Sequence, residues 1–99
     1  MKVLVVGNSW GVILDQKKVL ERLEWVRGDK LGFELRDNRL VLFRLADQSR
    51  VDKGRFVVVR PVVLSLGIYK KGLFEILDWP PGTLLKFRIQ GGKLILKRK

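Results

Sequence analysis

Hydrophobic and polar residues alternate along two long stretches of the chain, each interrupted by a short polar turn. In the first stretch, apolar residues alternate over residues 31–35, Asp37-Asn38 forms a turn signal, and an apolar run follows over residues 40–43. The same arrangement returns over residues 85–96 around Gly91-Gly92. A two-residue period is typical of half-buried strands, and both dipeptides tolerate the positive φ of a tight turn. The pattern therefore predicts two β-hairpins.

Shorter apolar segments precede the first hairpin. Residues 2–6 are nearly all apolar and predict a buried strand, Gly7-Asn8-Ser9 predicts a break, and residues 12–14 predict a second short strand. Asp15 is a predicted N-cap for a helix over residues 16–24, whose apolar residues fall at helical spacing. With a counterpart helix in the second half, the chain is predicted to be mainly β with two short helices.

The second half of the chain repeats the first. Trp25 and Trp79 stand in matching contexts 54 positions apart (79 − 25), and both are predicted to lie in the core. Ser9-Trp10-Gly11-Val12 matches Ser65-Leu66-Gly67-Ile68 at a spacing of 56 (67 − 11), so the second copy lacks two residues between loop and helix. Such regular self-similarity indicates that the working unit is a pair of equivalent elements.

The repeats are predicted to occupy residues 2–45 and 56–99, joined by a polar linker over residues 46–55. A chain of 99 residues is too short for two independent cores, so one domain containing both repeats is expected. The second repeat opens with an apolar run over residues 56–64. Pro61 cannot donate to a strand ladder, so an edge, a break or a bulge is expected there.

The formal net charge is +11, from 21 Lys and Arg against 10 Asp and Glu. Residues 1–45 carry nine cations against six acids (+3), whereas residues 46–99 carry twelve against four (+8). Such an excess steers a protein toward polyanions, of which nucleic acid is the commonest. The alternative interpretation is a solubilising surface or the Lys, Arg and Glu enrichment of a thermophile protein.

The chain contains neither Cys nor His, which excludes disulfides, thiolate catalysis, imidazole bases and most transition-metal sites. Its carboxylates form no motif at a catalytic spacing, so we expect no enzyme, cofactor or metal. No apolar run approaches the roughly 20 residues that cross a bilayer, and we expect a cytoplasmic protein without a membrane partner.

Gly7-Asn8-Ser9-Trp10-Gly11-Val12, a short helix, then Leu23-Glu24-Trp25-Val26-Arg27-Gly28-Asp29 and a hairpin resemble the AbrB/MazE (SpoVT-AbrB) swapped-hairpin family. These are prokaryotic transition-state regulators and antitoxin DNA-binding domains. The resemblance covers residues 2–45 and, more loosely, residues 58–99. It implies a β-barrel of interleaved hairpins, here a single-chain pseudo-dimer with an internal two-fold axis, that lays paired basic loops on DNA.

The candidate nucleic-acid-binding residues are polar or basic residues near the turns and helix starts: Asn8, Ser9, Lys17, Lys18, Arg60, Lys70 and Lys71. The two lysine pairs flank both helix starts, so a pseudo-two-fold axis would present them symmetrically. Asn8 and Ser9 could contact phosphates or bases, or could simply form and cap the turn. The lysines could equally be ordinary solvated residues.

The sequence thus favours a non-enzymatic AbrB/MazE-like DNA-binding protein, a transcriptional regulator that binds duplex DNA as a monomeric pseudo-dimer or a homodimer. One alternative is a protein-interaction module on the same barrel, antitoxin-like or phage-borne, because Leu4, Val5 and Ile13 stand where the family often has basic residues. Another is a designed or reconstructed barrel without activity. Basic residues in the linker and at the C-terminus could bind nucleic acid without sequence preference.

Overall fold

A computed structural model describes residues 1–49 and 55–99, and within these ranges the chain forms nine strands and two short helices. The strands are β1 (Leu4–Val6), β2 (Ser9–Ile13), β3 (Lys30–Arg36), β4 (Arg39–Arg44), β5 (Phe56–Val58), β6 (Arg60–Val62), β7 (Ser65–Tyr69), β8 (Leu85–Gln90) and β9 (Lys93–Arg98). Helix α1 is a π-helical turn (Gln16–Leu20) that continues into one α-helical turn (Glu21–Leu23), and α2 is Lys71–Ile76.

The strands form two antiparallel sheets. One has four strands in the order β1-β2-β7-β6, and the other has five in the order β5-β3-β4-β9-β8. The prediction of a mainly β protein with two short helices is confirmed. The two sheets are not closed into a barrel, so the predicted swapped-hairpin barrel stays a prediction.

A pseudo-two-fold axis relates the repeats, and strand register locates it. In the four-stranded sheet Val12 lies opposite Ile68, 56 positions later, and in the five-stranded sheet Val41 lies opposite Ile95, 54 positions later. Each pair joins two equivalent residues, so each lies on the axis. The axis therefore passes through both sheets, at the β2–β7 pair and at the β4–β9 pair.

The segment that opens each repeat, before its first turn, pairs with the start of the other repeat's hairpin. Val3 exchanges backbone hydrogen bonds of 2.8–3.0 Å with residues 82–83, and Val59 exchanges equivalent bonds of 2.8–2.9 Å with residues 28–29. Lys2 forms an antiparallel bridge with Leu84, and this bridge is equivalent to the pairing of Val58 in β5 with Lys30 in β3. The two repeats are therefore crossed at both edges of the five-stranded sheet.

The buried hydrophobic residues form one cluster to which both repeats contribute. Six of its leucines come from equivalent positions of β3, β4, β8 and β9: Leu31, Leu40, Leu42, Leu85, Leu94 and Leu96. Trp25 and Trp79 are 4% and 1% exposed, which confirms the prediction that both lie in the core. The core therefore lies between the two sheets and the two helices.

Helix α1 begins as predicted, because the Asp15 carboxylate accepts a 2.7 Å hydrogen bond from the Lys18 N–H. Its first turn is π-helical, with the Leu20 N–H donating to the Asp15 carbonyl. The two residues that the first repeat has in excess fall between Leu14 and Leu20, the segment that contains this wider turn. Helix α2, without them, starts directly at Lys71.

Both hairpin turns form where the sequence predicts them, with positive φ at residues 37–38 and 91–92. Strand β2 begins at Ser9 rather than at residue 12, because Gly7 and Asn8 alone complete the preceding turn. Pro61 lies in an edge strand, β6, as expected.

The apolar run that begins the second repeat is divided between two short strands, β5 and β6, and a turn. Strand β6 ends at Val62, and Val63-Leu64 form a turn equivalent to Gly7-Asn8. Of the predicted linker, Gln48 is tied to β3 by hydrogen bonds of 2.8 and 2.9 Å with the backbone of Lys30. The linker cations Arg50 and Lys53 lie outside the described residues.

Candidate nucleic-acid interface

The structure brings four of the predicted site residues together at one end of the four-stranded sheet. Asn8 is exposed in the first turn, and the Ser9 hydroxyl accepts a 2.9 Å hydrogen bond from the Lys71 N–H, capping α2 from the other repeat. The Lys71 ammonium lies 5.4 Å from the ring centroid of Trp10. Lys70 is half-buried beside this cap, its N–H donating to the Trp10 carbonyl. Ser9 therefore has a structural role: it caps the helix of the other repeat, whereas the sequence predicted that it could cap its own turn.

The remaining predicted residues lie elsewhere. Lys17 and Lys18 are exposed at the start of α1, and Arg60 is exposed on β6 opposite Gly67. Because β2 and β7 are antiparallel, the two helix starts lie at opposite ends of this strand pair, roughly 13 Å apart at about 3.3 Å per residue. The lysine pairs thus do not form one compact patch.

The outward face of the five-stranded sheet carries a denser set of cations. Its inward residues, such as Leu40 and Leu96, are fully buried, so the alternate residues of each strand point outward. Strand register arranges most of these outward residues in three cross-strand rows. The cationic row is Arg36, Arg39, Lys97 and Lys86; the central row is Glu34, Val41, Ile95 and Arg88; the aromatic row is Phe56, Gly32, Phe43, Lys93 and Gln90.

The cationic row is electrostatically unfavourable in the isolated protein. Three directly opposed pairs of like charge follow one another across four strands, and such pairs destabilise a sheet by a few tenths of a kcal/mol to about 1 kcal/mol each. Among the described residues of the three rows, Glu34 is the one acid, and its 3.6 Å ion pair with Arg36 is largely exposed. Exposed pairs contribute little, so the row keeps its positive potential.

A cavity of about 430 Å³ lies on this face, on the pseudo-two-fold axis. Its floor is Val41 and Ile95, and its walls come from equivalent residues of the two hairpins, among them Arg39 and Lys93. A second cavity of about 280 Å³ shares Arg39 and Ile95 with the first and extends to Lys86, Arg88 and Lys97. The two cavities lie side by side on this face and share two lining residues, and together they are called the axial groove. The second cavity lies against the cationic row.

This face was not predicted from the sequence, although the sequence contains part of the signal. Lys86 and Arg88 stand at the polar positions of a predicted strand, and Lys93 and Lys97 flank the return strand in the same way. The pairing of β4 with β9 was needed to place Arg39 beside Lys97. Prediction of each hairpin by itself does not determine the register between the two hairpins.

A second surface feature distinguishes the two ends of the four-stranded sheet. Val63 and Leu64 are 77% and 99% exposed, where the first repeat has Gly7 and Asn8. Val63 also has φ +58, a conformation that is strained for a β-branched residue. One end of the sheet is therefore polar and the other carries an exposed apolar turn.

Within residues 1–49 and 55–99, no group of three or more Asp, Glu, Cys or His side chains is placed to hold a metal ion. In the same ranges, neither helix has the length and apolar character needed to span a bilayer. No family model, curated protein or solved structure matches the chain.

Proposed function

We propose that this chain is a non-enzymatic DNA-binding protein, a regulator of transcription, on a swapped-hairpin scaffold like that of the AbrB/MazE family. The observation that carries the proposal is the cationic row, where four cations lie side by side on one open sheet face. A phosphate backbone would relieve their mutual repulsion and release its own counterions. The net charge of +11 adds long-range attraction of the same sign.

The crossed pairing of Val3 and Val59 supports the scaffold part of the proposal, because interleaved repeats are what that family's fold implies. If the repeats are interleaved, cleavage at Ser49 should yield fragments that associate with each other or dimerise. Analytical ultracentrifugation of the cleaved protein measures this. A well-folded monomer of residues 1–48 would contradict the scaffold.

DNA binding is tested by fluorescence anisotropy with a short labelled duplex over a range of salt concentrations. With about six phosphates engaged, the slope of log K against log salt should be roughly −5. A slope near zero, or no binding at low salt, would overturn the proposal.

Variants in which selected cations are replaced by uncharged glutamine locate the interface. Arg39→Gln with Lys97→Gln should make the salt slope shallower by about 2, since two phosphate contacts are lost. Arg22→Gln with Lys99→Gln is the matched control, which removes two exposed cations outside the rows and should leave the slope unchanged. Converting Lys17, Lys18, Lys70 and Lys71 to Gln tests the helix starts. Were that set alone to change the slope, DNA would lie on the other sheet.

The exposed turn at Val63 and Leu64 favours a second candidate function, a protein-interaction module on the same scaffold. An apolar anchor of this kind contributes binding that is insensitive to salt. Capture of a protein partner from lysate in high salt, lost in Leu64→Asn and kept in Asn8→Ser, would favour this function over DNA binding.

A further inference from the structure

The pseudo-two-fold axis exchanges the cationic row with the aromatic row, and the two rows differ in chemistry. Arg39 is equivalent to Lys93, but Lys97 is equivalent to Phe43 and Lys86 to Gly32, each at an offset of 54. One side of the axis therefore presents four cations in a line, and the other presents aromatic and uncharged residues with one lysine, Lys93, in the row and Lys30 beside it, 5.2 Å from the Phe56 ring centroid. The fold is two-fold symmetric on this face, but the charge is not.

The aromatic side is built around Phe43. A Cβ on Gly32 would lie 2.6 Å from a ring carbon of Phe43, so the glycine allows the ring to lie across β3. The ring remains partly exposed, and the Lys93 ammonium lies 5.8 Å from its centroid. Phe43 is thus a partly exposed aromatic surface with a cation beside it.

The axial groove lies against the cationic row on one side and reaches Lys93 of the aromatic row on the other. Phe43 lies next to the groove, opposite Lys93 in the strand register. Same-face residues along a strand are about 7 Å apart, so Val41 and Phe43 lie about 7 and 14 Å along β4 from Arg39. The floor between them is Val41 and Ile95, both apolar and half-buried. A cavity of about 430 Å³ is within the size range that accommodates small organic ligands.

Resting on the proposed function, we infer that the axial groove binds a single-stranded nucleic-acid segment, with phosphates along the cationic row and bases over Val41, Ile95 and Phe43. Cations that follow the backbone beside an aromatic platform for bases are the arrangement by which proteins bind single strands. A duplex presents two phosphate strands and keeps its bases stacked inside, so it would favour cations on both sides of the axis. The one-sided row fits one strand.

The experiment compares three labelled probes on the full chain: an oligothymidine of about twelve nucleotides, an abasic strand of the same length, and a duplex. We expect the oligothymidine to bind more tightly than either of the others. Phe43→Leu should weaken oligothymidine binding about five- to tenfold, a typical effect of losing one stacked base, and change abasic binding less than twofold.

Trp10→Leu is the matched aromatic control. Trp10 is also half-buried beneath a lysine ammonium, but on the other sheet, and the second repeat already has Leu66 at that position. Its substitution should leave all three affinities unchanged. Circular dichroism establishes that each variant is folded.

The outcomes separate the inference from the proposed function. Duplex binding tighter than oligothymidine binding, with Phe43→Leu having no effect, would overturn the inference and leave DNA binding in place. Failure of every probe to bind would overturn both. If Phe43→Leu does not fold, Lys86→Gln with Lys97→Gln decides instead. Loss of oligothymidine affinity no greater than in Arg22→Gln with Lys99→Gln would then overturn the inference.

Discussion

Gly7-Asn8 and Val63-Leu64 form equivalent turns of the two repeats, and the first residue of each has φ +58. Glycine adopts this conformation without steric strain, whereas valine does not. The first repeat therefore has a residue suited to the turn, and the second has a strained, exposed apolar pair in the same backbone. The backbone of this turn is conserved between the repeats while its chemistry is not.

In the interior, by contrast, equivalent positions of the two repeats keep the same kind of residue. Val12 with Ile68 and Val41 with Ile95 keep apolar β-branched residues on the axis of both sheets, and Trp25 is matched by Trp79. Packing and register depend on these residues, so the repeats stay equivalent where they share a core. The repeats thus act as a symmetric pair in folding and as one asymmetric surface toward a ligand.

The largest difference in stability between the repeats should come from their tryptophans. Trp79→Ala and Trp25→Ala should each destabilise the protein by about 3–5 kcal/mol. Trp79→Ala should have the larger effect, since its ring lies 6.4 Å from that of Phe74, whereas Leu20 holds the equivalent position in the first repeat. An aromatic pair adds about 0.5–1.5 kcal/mol beyond burial.

Urea unfolding followed by circular dichroism measures both variants without relying on tryptophan fluorescence. An equal or greater loss in Trp25→Ala would show that the two halves of the core are energetically interchangeable despite this difference.

Where the repeats are structurally equivalent, equivalent substitutions should have equal effects. A Cβ on Gly11 would overlap the Ile68 carbonyl oxygen, and one on Gly67 would overlap the Val12 carbonyl oxygen. Because backbone atoms on the axis cannot move aside, Gly11→Ala and Gly67→Ala should each destabilise the protein by about 3 kcal/mol.

The matched control for these variants is Gly72→Ala in α2, where a Cβ meets nothing within 4 Å. It should stabilise the protein by about 0.5–1 kcal/mol, because alanine is the better helix former. Thermal unfolding of the three variants measures the effects, and clearly unequal losses at Gly11 and Gly67 would contradict the placement of the axis.

Substitutions at the two equivalent turns should change the stability of the protein in opposite directions. Gly7→Val should destabilise the protein by about 1–3 kcal/mol, since it introduces the strain already present at Val63. Val63→Gly should stabilise it by about 1 kcal/mol, because relief of that strain exceeds the entropy that glycine adds to the unfolded chain. Chemical denaturation measures both changes. Destabilisation by Val63→Gly would mean that Val63 makes a compensating contribution to the folded state.

Sequence patterns predicted the elements well because strands, turns and caps depend on neighbouring residues. The hairpin turns at Asp37-Asn38 and Gly91-Gly92 and the Asp15 cap are local in this sense. The Val63-Leu64 turn was missed because neither residue is a turn former, and the backbone there follows the conformation of the equivalent Gly7-Asn8 turn.

The candidate interface was harder to predict, because it depends on contacts between distant segments. The cationic row requires Arg39 and Lys97 to be neighbours, and the cap of α2 requires Ser9 to reach Lys71 in the other repeat. Pairing of this kind depends on tertiary register, which composition and spacing along the chain do not determine.

The smallest predicted difference concerns the turn after each tryptophan. In the first repeat the Asp29 carboxylate accepts a 3.0 Å hydrogen bond from the Val26 N–H and lies 3.3 Å from the Arg44 guanidinium. In the second repeat the equivalent residues are Pro80, which has no N–H, and Thr83, whose hydroxyl donates to the Pro80 carbonyl at 2.7 Å. In the first repeat the side chain accepts from the Val26 N–H, and in the second repeat Pro80 has no N–H that needs an acceptor. Each pair of residues therefore matches the hydrogen-bonding groups of its own turn.

Exchanging one residue of such a pair should be worse than exchanging both. Asp29→Thr alone should destabilise the protein by about 1–2 kcal/mol, since it removes the charged acceptor of a partly buried hydrogen bond from the Val26 N–H. Adding Val26→Pro removes that donor and reproduces the turn of the second repeat, so the double variant should recover about 1 kcal/mol. A double-mutant cycle from urea unfolding gives this coupling energy directly. Additive losses would show that the pairing of these residues has no energetic consequence and that the Arg44 contact dominates at Asp29.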